Sequence, residues 1–351
     1  MNFPLQGGSP LIALALFSGG LDSLLAIKLI QEAGVEVEGV NFLQPFLGPE
    51  EEKRVVNHLQ NLISQLGVEL HIVRLGDDYL RMLENPKHGY GKAANPCLDC
   101  HIFFLHKAGE LMQELGAAFL VTGEVVGQRP KSQYRGAFPK IDAESGLAGL
   151  IVRPLSAGLL PPTIPEQKDW ISLDHCPSIQ GRQRKTQLEL AQKYGLEYEA
   201  PAGGCLLTNV EYGRKVKDLI KADGQLTIDS LRLLRIGRHF RLSASYKGIV
   251  GRNHRENQVL FRYFYQHRRA EGFYLFSALG APGPLALGLG NPAADDLEKL
   301  ARLTIRYGDH APETVVTVKF LTSGSAHRLT TLSIQPAPKE TPFDGDRFRI
   351  T

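Results

Sequence analysis

A glycine-rich segment near the start of the chain carries hydroxyl and carboxylate groups at a predicted strand-to-helix junction. The apolar run 11–17 has the length of a strand, and a helical pattern of apolar residues begins near Asp22. The junction between them reads Ser18-Gly19-Gly20-Leu21-Asp22-Ser23. Backbone N–H groups at a helix N-terminus are unpaired and lie at the positive end of the helix dipole. The segment therefore predicts an anion site suited to phosphate.

The side chains of this segment indicate how a nucleotide would be held. The Walker pattern GxxxxGK[ST] is absent, because no lysine follows the glycines. Asp22 instead supplies a carboxylate for a Mg²⁺ ion that bridges phosphates, and the serines supply hydroxyls. The predicted nucleotide contacts are Phe17, Ser18, Gly19, Gly20, Leu21, Asp22 and Ser23. The alternative interpretation is a glycine turn whose Ser or Asp only caps the helix.

Three cysteines form a second candidate site. Asn95-Pro96-Cys97-Leu98-Asp99-Cys100-His101 places two thiols one turn apart at the start of a predicted helix. Pro201-Ala202-Gly203-Gly204-Cys205 places a third thiol in a glycine turn, where the backbone can approach a bulky inorganic group. Three thiolates can hold a cubane iron–sulfur cluster, of the 4Fe-4S type, and leave one iron open to an external sulfide. The metal ligands on this interpretation are Cys97, Cys100 and Cys205.

Other interpretations of these thiols stay open. A zinc ion would take the three cysteines together with His101 or Cys176 as a fourth ligand. A persulfide mechanism would use Cys97 and Cys205 as a persulfide-forming and resolving pair, with the helix N-terminus activating a thiol. Buried thiols without a shared role are the remaining alternative.

The N-terminal half alternates predicted strands and helices. Strands are expected at 11–17, 35–42, 69–75 and 118–122, and helices at 22–33, 50–66 and 100–115. This order predicts an α/β fold with a doubly wound parallel sheet covered by helices on both faces. Ligands of such folds bind at the carboxyl ends of the strands. The glycine-rich junction lies at that edge.

The chain changes character after about residue 205. A helix is expected at 210–221, a hinge at Asp223-Gly224, strands at runs such as 263–265, 314–320 and 329–334, and loops in the Gly- and Pro-rich stretch 280–292. Residues 231–280 contain ten Lys or Arg against two acids, a net charge of +8, whereas the whole chain carries +3. This part therefore predicts a second, basic, α+β domain.

Aromatic residues are interleaved with the basic residues of 231–280. That combination is typical of a surface that neutralises phosphates and stacks bases, although a core of strand aromatics is the alternative. The predicted RNA contacts are Arg238, Lys247, Arg252 and Arg255.

Composition and cysteine usage indicate a globular cytoplasmic protein. The chain has 351 residues, 43% hydrophobic and 22% charged. The apolar run 10–17 is too short to span a bilayer and no basic segment precedes it, so no membrane association is expected. Four cysteines that include a Cys-x-x-Cys pair are typical of a reducing compartment.

The segment Ser18-Gly19-Gly20-Leu21-Asp22-Ser23 resembles the SGGxDS signature of the PP-loop ATP pyrophosphatases. The resemblance implies an adenine nucleotide alpha hydrolase-like fold with ATP and Mg²⁺ as ligands. It also implies cleavage of ATP between the α and β phosphates, with adenylation of a substrate oxygen.

Further segments resemble the tRNA-thiolating members of that superfamily. Thr122-Gly123-Glu124, Gly127-Gln128 and Ser132-Gln133 are similar to the TGE-x-x-GQ-x-x-SQ segment of ThiI-type 4-thiouridine synthases, although three residues here separate GQ from SQ. Val152-Arg153-Pro154-Leu155 resembles the RPL that follows in that family, and Asn95-Pro96-Cys97 resembles the NPC of MnmA-type 2-thiouridylases. The resemblance covers about 11–205. It implies that Gly123 and Gln128 lie near the nucleotide, and that Asp22, Cys97 and Cys205 are catalytic.

A C-terminal segment resembles an RNA-binding module. Lys247-Gly248-Ile249-Val250-Gly251-Arg252-Asn253 is similar to the VGRN strand-turn of NFACT-R domains, which implies tRNA or another structured RNA as a partner. The expected domains are a PP-loop domain at 1–205, a linker helix at 206–227 and the NFACT-R-like domain at 228–351. Because no THUMP or rhodanese domain is expected, the modified tRNA position does not carry over from ThiI-type enzymes.

The resemblances together imply an ATP-dependent tRNA sulfurtransferase. It would adenylate a uridine carbonyl and replace the oxygen with sulfur, giving 4-thiouridine or 2-thiouridine. Sulfur would come from free sulfide or from a cysteine desulfurase persulfide, and a homodimer stays open. One alternative is an amidating PP-loop ligase, which would not need the three cysteines. The other is a non-catalytic RNA-binding factor with a nucleotide-binding scaffold, against which Asp22 and Ser23 argue.

Overall fold

The computed structural model describes residues 11–199, 204–280, 282–309, 315–324, 328–334 and 347–350. The chain divides into two compact units, Met1–Cys205 and Leu206–Thr351. None of the described helices is long and apolar enough to cross a membrane.

The first unit is built around a five-stranded parallel sheet. Its strands are β1 (Ile12–Leu16), β2 (Glu36–Leu43), β3 (Leu70–Arg74), β4 (Phe119–Thr122) and β5 (Ile151–Val152). Its helices are α1 (Leu21–Glu32), α2 (Pro49–Ser64), α3 (Asp77–Glu84), α4 (Cys97–Leu115), α5 (Ala137–Glu144), α6 (Ile164–Gln167) and α7 (Lys185–Tyr194). The strand order is β3-β2-β1-β4-β5, with every pairing parallel.

Helices cover both faces of this sheet. Alternate residues of β1 point to opposite faces and therefore pack against different helices. Ala13 and Ala15 pack with α1 and α2 through residues such as Leu59. Leu14 packs on the other face with α4 and α5 through residues such as Met112. The predicted doubly wound parallel sheet is confirmed.

The second unit contains a six-stranded antiparallel sheet between helices. Its strands are β6 (Arg238–Ser243), β7 (Tyr246–Val250), β8 (Phe273–Ala278), β9 (Ala286–Gly290), β10 (Val316–Thr322) and β11 (Leu329–Ile334), in the order β11-β10-β8-β9-β7-β6. Its helices are α8 (Val210–Asp223), α9 (Ile228–Leu233), α10 (His254–Gln266) and α11 (Ala294–Arg306). α11 packs on one face of the sheet and α10 on the other. The predicted α+β class of this part is confirmed, and α8, predicted as a linker, belongs to this unit.

Two predicted element types and one predicted helix start were wrong. The run 263–265 is helical, not a strand, because Leu260 and Phe264 are buried one turn apart on the inner face of α10. The stretch 280–292 contains β9 in the interior of the sheet; its Gly288 is required because a Cβ there would collide with the Tyr246 ring. Helix α4 begins at Cys97, three residues before the predicted start.

Candidate functional site

The SGGLDS segment lies at the point where the strand order of the parallel sheet reverses. The chain builds the sheet outward from β1 through β2 and β3, and then returns to place β4 on the other side of β1. The loops that follow β1 and β4 therefore lie side by side at the carboxyl edge of the sheet, which is the usual ligand position in such folds. One loop carries Ser18 and Asp22, and the other carries Gly123 and Gln128.

The first loop is held by its own serines. Ser23 Oγ donates to the carbonyl of Gly20 at 2.7 Å, and the backbone N–H of Ser18 donates to Ser23 Oγ at 3.3 Å. Gly19 adopts a φ of 78°, and a Cβ there would lie 2.6 Å from Leu59 Cδ2. The segment thus needs glycine for both conformation and space, and it ends in the N-terminus of α1.

Two predicted nucleotide contacts of this loop have side chains in the core. Phe17 and Leu21 are each 1% exposed, so only their backbone groups can face a ligand. The carbonyl of Phe17 accepts from Asn41 Nδ2 at 2.7 Å, which fixes the end of β1 against β2. Ser18 and Gly20, in contrast, are exposed.

Asp22 has one paired and one unpaired carboxylate oxygen. Gln128 Nε2 donates to Asp22 Oδ2 at 3.0 Å. Asp22 Oδ1 is buried and has no hydrogen-bond partner. A buried carboxylate oxygen without a donor is costly unless a ligand or cation completes its environment. The oxygen fits the hard-oxygen chemistry of Mg²⁺, so the site accommodates the ion that the sequence predicts.

The loop after β4 packs directly on the start of α1. A Cβ at Gly123 would lie 2.6 Å from both the carbonyl carbon and oxygen of Asp22, and 2.7 Å from the backbone nitrogen of Ser23. The backbone of one loop therefore touches the backbone of the other, and no side chain fits between them. Sequence comparison placed Gly123 near the nucleotide, and the structure brings it together with Asp22 and Gln128.

A buried ion network continues from Gly123 into the cysteine-bearing helix. Glu124 accepts from His101 Nδ1 at 2.9 Å and from Arg153 Nε at 2.9 Å. Arg153 also makes a two-bond pair with Asp142, at 2.6 and 2.9 Å. Burial alone would raise the pKa of Glu124, but the Arg153 charge and His101 outweigh it and lower the pKa to about 2. Glu124 is therefore an ionised carboxylate that ties β4 to α4.

Sequence reasoning quoted this glutamate and arginine in family motifs but gave them no role in the site. His101 entered only as a possible zinc ligand. One signal was available: Glu124 is a lone charge in the apolar segment 119–126. A charge in such a segment is buried, and a buried charge requires a partner.

The three predicted cluster ligands lie near one another. Burial raises the pKa of Cys100 to about 12, and the thiols of Cys205 and Cys97 both lie close enough to raise it further. Tyr79 Oη lies 3.6 Å from Cys100 Sγ. Because a thiol that stays protonated is not a ligand, a bound metal would have to displace this proton.

Amide side chains contact the other two thiols. Asn95 Nδ2 donates to Cys97 Sγ at 3.1 Å, and Gln44 Nε2 lies 3.8 Å from Cys205 Sγ. Amide donors of this kind stabilise a thiolate or a sulfur ligand. Cys97 is the first residue of α4, where the helix dipole also favours negative charge. The glycine turn at 201–203 lies outside the described residues.

Two observations bear on the zinc alternative. Cys176 lies away from the other thiols, since it packs in the cluster of Leu21, Leu25 and Leu29 on α1. Over the part of the chain that the structure describes, no group of three His, Cys, Asp or Glu side chains is already arranged around a metal position. A mononuclear zinc ion needs ligand atoms about 2.0–2.3 Å from one point.

The predicted RNA contacts in the second unit separate into buried and exposed residues. Lys247 is wrong as a surface contact: it is 2% exposed, and its Nζ lies 3.4 Å from Asp218. Burial lowers its pKa to about 8 against the opposing effect of Asp218. Arg238 is half-buried over the Tyr307 ring. Arg252 and Arg255 are exposed.

The VGRN segment builds the start of α10. Asn253 is the N-cap, and its side chain accepts from the backbone N–H of Glu256 at 3.0 Å. Arg252 donates to the Glu256 carboxylate through Nε and Nη2, with a shortest distance of 2.6 Å, and to the carbonyl of Arg235. This arginine therefore fixes the helix start, whatever else it contacts.

The parallel sheet, with the glycine loop at its reversal point, defines the first unit as a doubly wound α/β domain. Residues 8–157 match the family model described as "Thiamine biosynthesis protein (ThiI)", and residues 237–342 match the one described as "NFACT protein RNA binding domain". The chain thus carries a ThiI-type domain and an NFACT-R-type domain, and the resemblances read from the sequence are confirmed.

Individual relatives agree with these matches. A "tRNA-specific 2-thiouridylase MnmA" of Nitratidesulfovibrio vulgaris (strain DSM 19637 / Miyazaki F) is 35% identical over 145 residues, which are 37% of this chain and 40% of that protein. A "Probable tRNA sulfurtransferase" of Thermoanaerobacter sp. (strain X514) is 34% identical over 130 residues, 35% of this chain and 32% of that protein. The chain therefore spans two fifths or less of the length of these relatives.

One solved structure is similar to this chain at a lower sequence identity than these relatives. The "U34-tRNA thiolase NcsA from Methanococcus maripaludis with its [4Fe-4S] cluster" is 18% identical, with 65% of this chain and 74% of that chain covered at a TM-score of 0.33. A likeness at this TM-score carries no functional assignment.

Proposed function

We propose that this chain is an ATP-dependent, AMP-forming tRNA sulfurtransferase that replaces a uridine carbonyl oxygen with sulfur. The observation that carries the proposal is the hydrogen bond between His101 and Glu124. It ties the start of α4, which bears Cys97 and Cys100, to the loop that packs on Asp22. A nucleotide-activating site and a sulfur-handling site therefore belong to one rigid structure. The ThiI-type match and the relatives named for tRNA thiolation support the same activity.

The activation step uses the carboxyl edge of the sheet, where the loops after β1 and β4 meet. The backbone N–H groups at the start of α1 would hold the ATP phosphates, and Asp22 would hold a Mg²⁺ ion, which would supply positive charge to offset them. Gln128 orients the Asp22 carboxylate. The uridine carbonyl oxygen attacks the α phosphorus, the bond to the β phosphate breaks, and pyrophosphate leaves. The N3 proton of the uracil is released, so the product is a neutral O-adenylated pyrimidine.

The sulfur step uses the three-cysteine site. Cys97, Cys100 and Cys205 would hold an iron–sulfur cluster, which when bound supplies an open iron for an external sulfide. Hydrosulfide adds to the activated carbon, AMP departs with the former carbonyl oxygen, and transfer of the sulfur-bound proton to N3 gives the neutral thiocarbonyl. Asn95 and Gln44 orient the thiols. Free sulfide supplies hydrosulfide directly, and a desulfurase-derived persulfide supplies it when a second thiol attacks the inner sulfur, releasing hydrosulfide and forming a disulfide.

The substrate is proposed as tRNA because the second unit matches an RNA-binding domain and the relatives act on tRNA. Exposed arginines such as Arg255 supply charge that attracts phosphates.

The test is a reconstituted reaction. The protein, purified and cluster-reconstituted without oxygen, is incubated with bulk tRNA lacking thiouridine, ATP, Mg²⁺ and sulfide. AMP release and thionucleoside in the digested tRNA are then measured. The proposal expects both products, in equal amounts, and neither with Asp22→Asn. ATP cleavage without thionucleoside would favour an amidating or other adenylating activity, and the absence of both would favour a non-catalytic RNA-binding factor.

A further inference from the structure

Helix α10 of the second unit exposes an aromatic ring on its outer face. Phe261 is 46% exposed, although Leu260 beside it and Phe264 three residues on are fully buried against the sheet. The Phe261 ring packs against Tyr265, with ring centroids 4.5 Å apart. A large ring that remains in solvent on a well-packed helix loses hydrophobic stabilisation, so a partner that covers it is favoured.

A groove lies beside this ring. Its volume is about 420 Å³, and it is lined by His254, Asn257, Gln258, Phe261, Arg262 and Leu285. Asn257 Oδ1 accepts from the backbone N–H of Leu285 at 3.0 Å, which fixes the segment before β9 to the helix. Gln258 Nε2 lies 2.8 Å from His254 Nε2, so the polar wall is also ordered.

The charge around the groove has one sign. Residues 252–269 contain five arginines and a single acid, Glu256. That acid is buried and paired with Arg252, so it contributes little negative charge to the surface. The exposed arginines of this segment are Arg252, Arg255, Arg262, Arg268 and Arg269. Arg262 lines the groove, and Arg255 belongs to the same helix.

We propose that the α10 surface, defined as His254, Arg255, Gln258, Phe261 and Arg262, binds an unpaired nucleotide of the RNA, with its base stacked on Phe261. The inference rests on the proposed function and assigns where its RNA docks. A base offers a flat face to the exposed ring, and its phosphates match the arginines that flank the groove. Paired bases are stacked on their neighbours and cannot cover the ring, so the surface selects single-stranded loops or ends.

The partner chemistry follows from the same residues. An acidic peptide would match the charge, but it would not need a lone aromatic ring above a groove lined by amide and imidazole groups. Those groups supply donors and acceptors for a base edge. A nucleotide therefore satisfies both the ring and the arginines.

The experiment measures binding of the full chain by fluorescence anisotropy. The probes are labelled tRNA, a labelled single-stranded RNA of about 12 nucleotides, and the matched RNA duplex. Phe261→Ala is expected to weaken tRNA and single-strand binding about tenfold, while Phe261→Trp retains it. Arg262→Gln is expected to lower the slope of log affinity against log salt by about 0.7.

Matched controls lie elsewhere on the same unit. Leu329→Ala removes another exposed apolar side chain, at 63% exposure, and Arg302→Gln removes an exposed arginine of α11, on the opposite face of the sheet. Neither is expected to change the affinity. Because Phe261 and Arg262 are exposed, their variants should keep the wild-type melting temperature.

The outcomes separate this inference from the proposed function. If the wild type thiolates tRNA but Phe261→Ala binds single-stranded RNA with unchanged affinity, only the α10 inference is overturned. Equal competition by the duplex, or release of RNA by an acidic peptide at lower concentration than by single strand, overturns it as well. If the wild type neither binds nor thiolates tRNA, both fail.

Discussion

Gln128 Nε2 lies 3.0 Å from Asp22 Oδ2, and this hydrogen bond joins the loop after β4 to the first turn of α1. It leaves Asp22 Oδ1 as a buried oxygen without a partner. The amide therefore pairs with one carboxylate oxygen only. The two residues are 106 positions apart, and the β1–β4 pairing brings them together.

Substitutions at this pair test the nucleotide site. Asp22→Asn is expected to reduce AMP formation by at least about 100-fold, because it removes the carboxylate that is proposed to hold Mg²⁺. Gln128→Ala is expected to reduce it about tenfold through lost orientation. The assay is AMP release with tRNA and sulfide over a Mg²⁺ titration. The control Gln113→Ala replaces an exposed glutamine of α4 and should leave the rate unchanged. An Asp22→Asn protein with wild-type activity would contradict the assignment.

The cysteines divide into a convergent set and an isolated residue. Alanine at Cys97, Cys100 or Cys205 is expected to reduce bound iron and acid-labile sulfide to background, because a cubane cluster needs all three protein ligands. The control Cys176→Ala should keep the wild-type content, since Cys176 packs against α1. Iron and sulfide analysis with absorption spectra after anaerobic purification makes the measurement. Iron retained by all three variants would contradict the cluster, and one zinc per chain would restore the zinc interpretation.

Glu124 couples stability of the first unit to pH. Its pKa is about 2 when folded, below the ordinary value of 4.5, so its stabilisation is complete above 4.5 and is lost as the pH falls toward 2. The shift corresponds to about 3 kcal/mol. The charged groups that face it are Arg153 and His101, with Asp142 on the far side of Arg153.

The variant Glu124→Gln removes that dependence. It is expected to destabilise the protein by about 3 kcal/mol at pH 7, because Arg153 stays buried with one partner fewer. Between pH 4.5 and 2 the difference from wild type should shrink, which denaturant titrations at several pH values can follow. The control Glu114→Gln changes an exposed glutamate of α4. A constant difference across this pH range would argue against an ionised Glu124.

Sequence patterns predicted the helices and strands that have a clear hydrophobic periodicity. They missed those whose structure depends on contacts between residues distant in the sequence. The alternation of apolar strands and amphipathic helices was enough for the parallel sheet, because β1 and α1 bury nearly continuous apolar runs. β9 was missed, since its Gly288 is required by the ring of Tyr246 on a neighbouring strand. The three consecutive aromatics at 263–265 suggested a strand, and the burial of Leu260 and Phe264 made them helical.

The candidate site also contains a part that contiguous residues predict and a part that depends on distant contacts. The SGGLDS loop could be predicted because its function lies in contiguous residues. The chain of contacts from Arg153 through Glu124 to His101 could not be, because it joins three elements that only the folded structure brings together. A charge excess in the window 231–280 also could not reveal that Lys247 is buried with Asp218.

Substitutions of Lys247 and of Arg255 are expected to have different effects on RNA binding. Lys247→Met should leave RNA affinity and its salt dependence unchanged, because the ammonium group is buried and paired. Arg255→Gln should weaken binding and lower the salt slope by about 0.7, because an exposed cation releases counterions from RNA. Anisotropy with labelled tRNA at several salt concentrations compares them, and thermal melting checks that Lys247→Met is folded. A reduced salt slope in Lys247→Met would mean that this lysine reaches the RNA.

Gly123 tests whether the contact between the two loops is required for catalysis. An alanine Cβ there would lie 2.6 Å from the backbone of Asp22, which cannot move without displacing the start of α1. Gly123→Ala is therefore expected to abolish measurable AMP formation and to destabilise the protein by about 1–3 kcal/mol. The matched control is Gly48→Ala, at the N-cap of α2, where φ is −74° and a Cβ would meet nothing within 4 Å. Its activity should equal wild type. If Gly123→Ala keeps full activity, the two loops can separate without cost, and the nucleotide site does not depend on their contact.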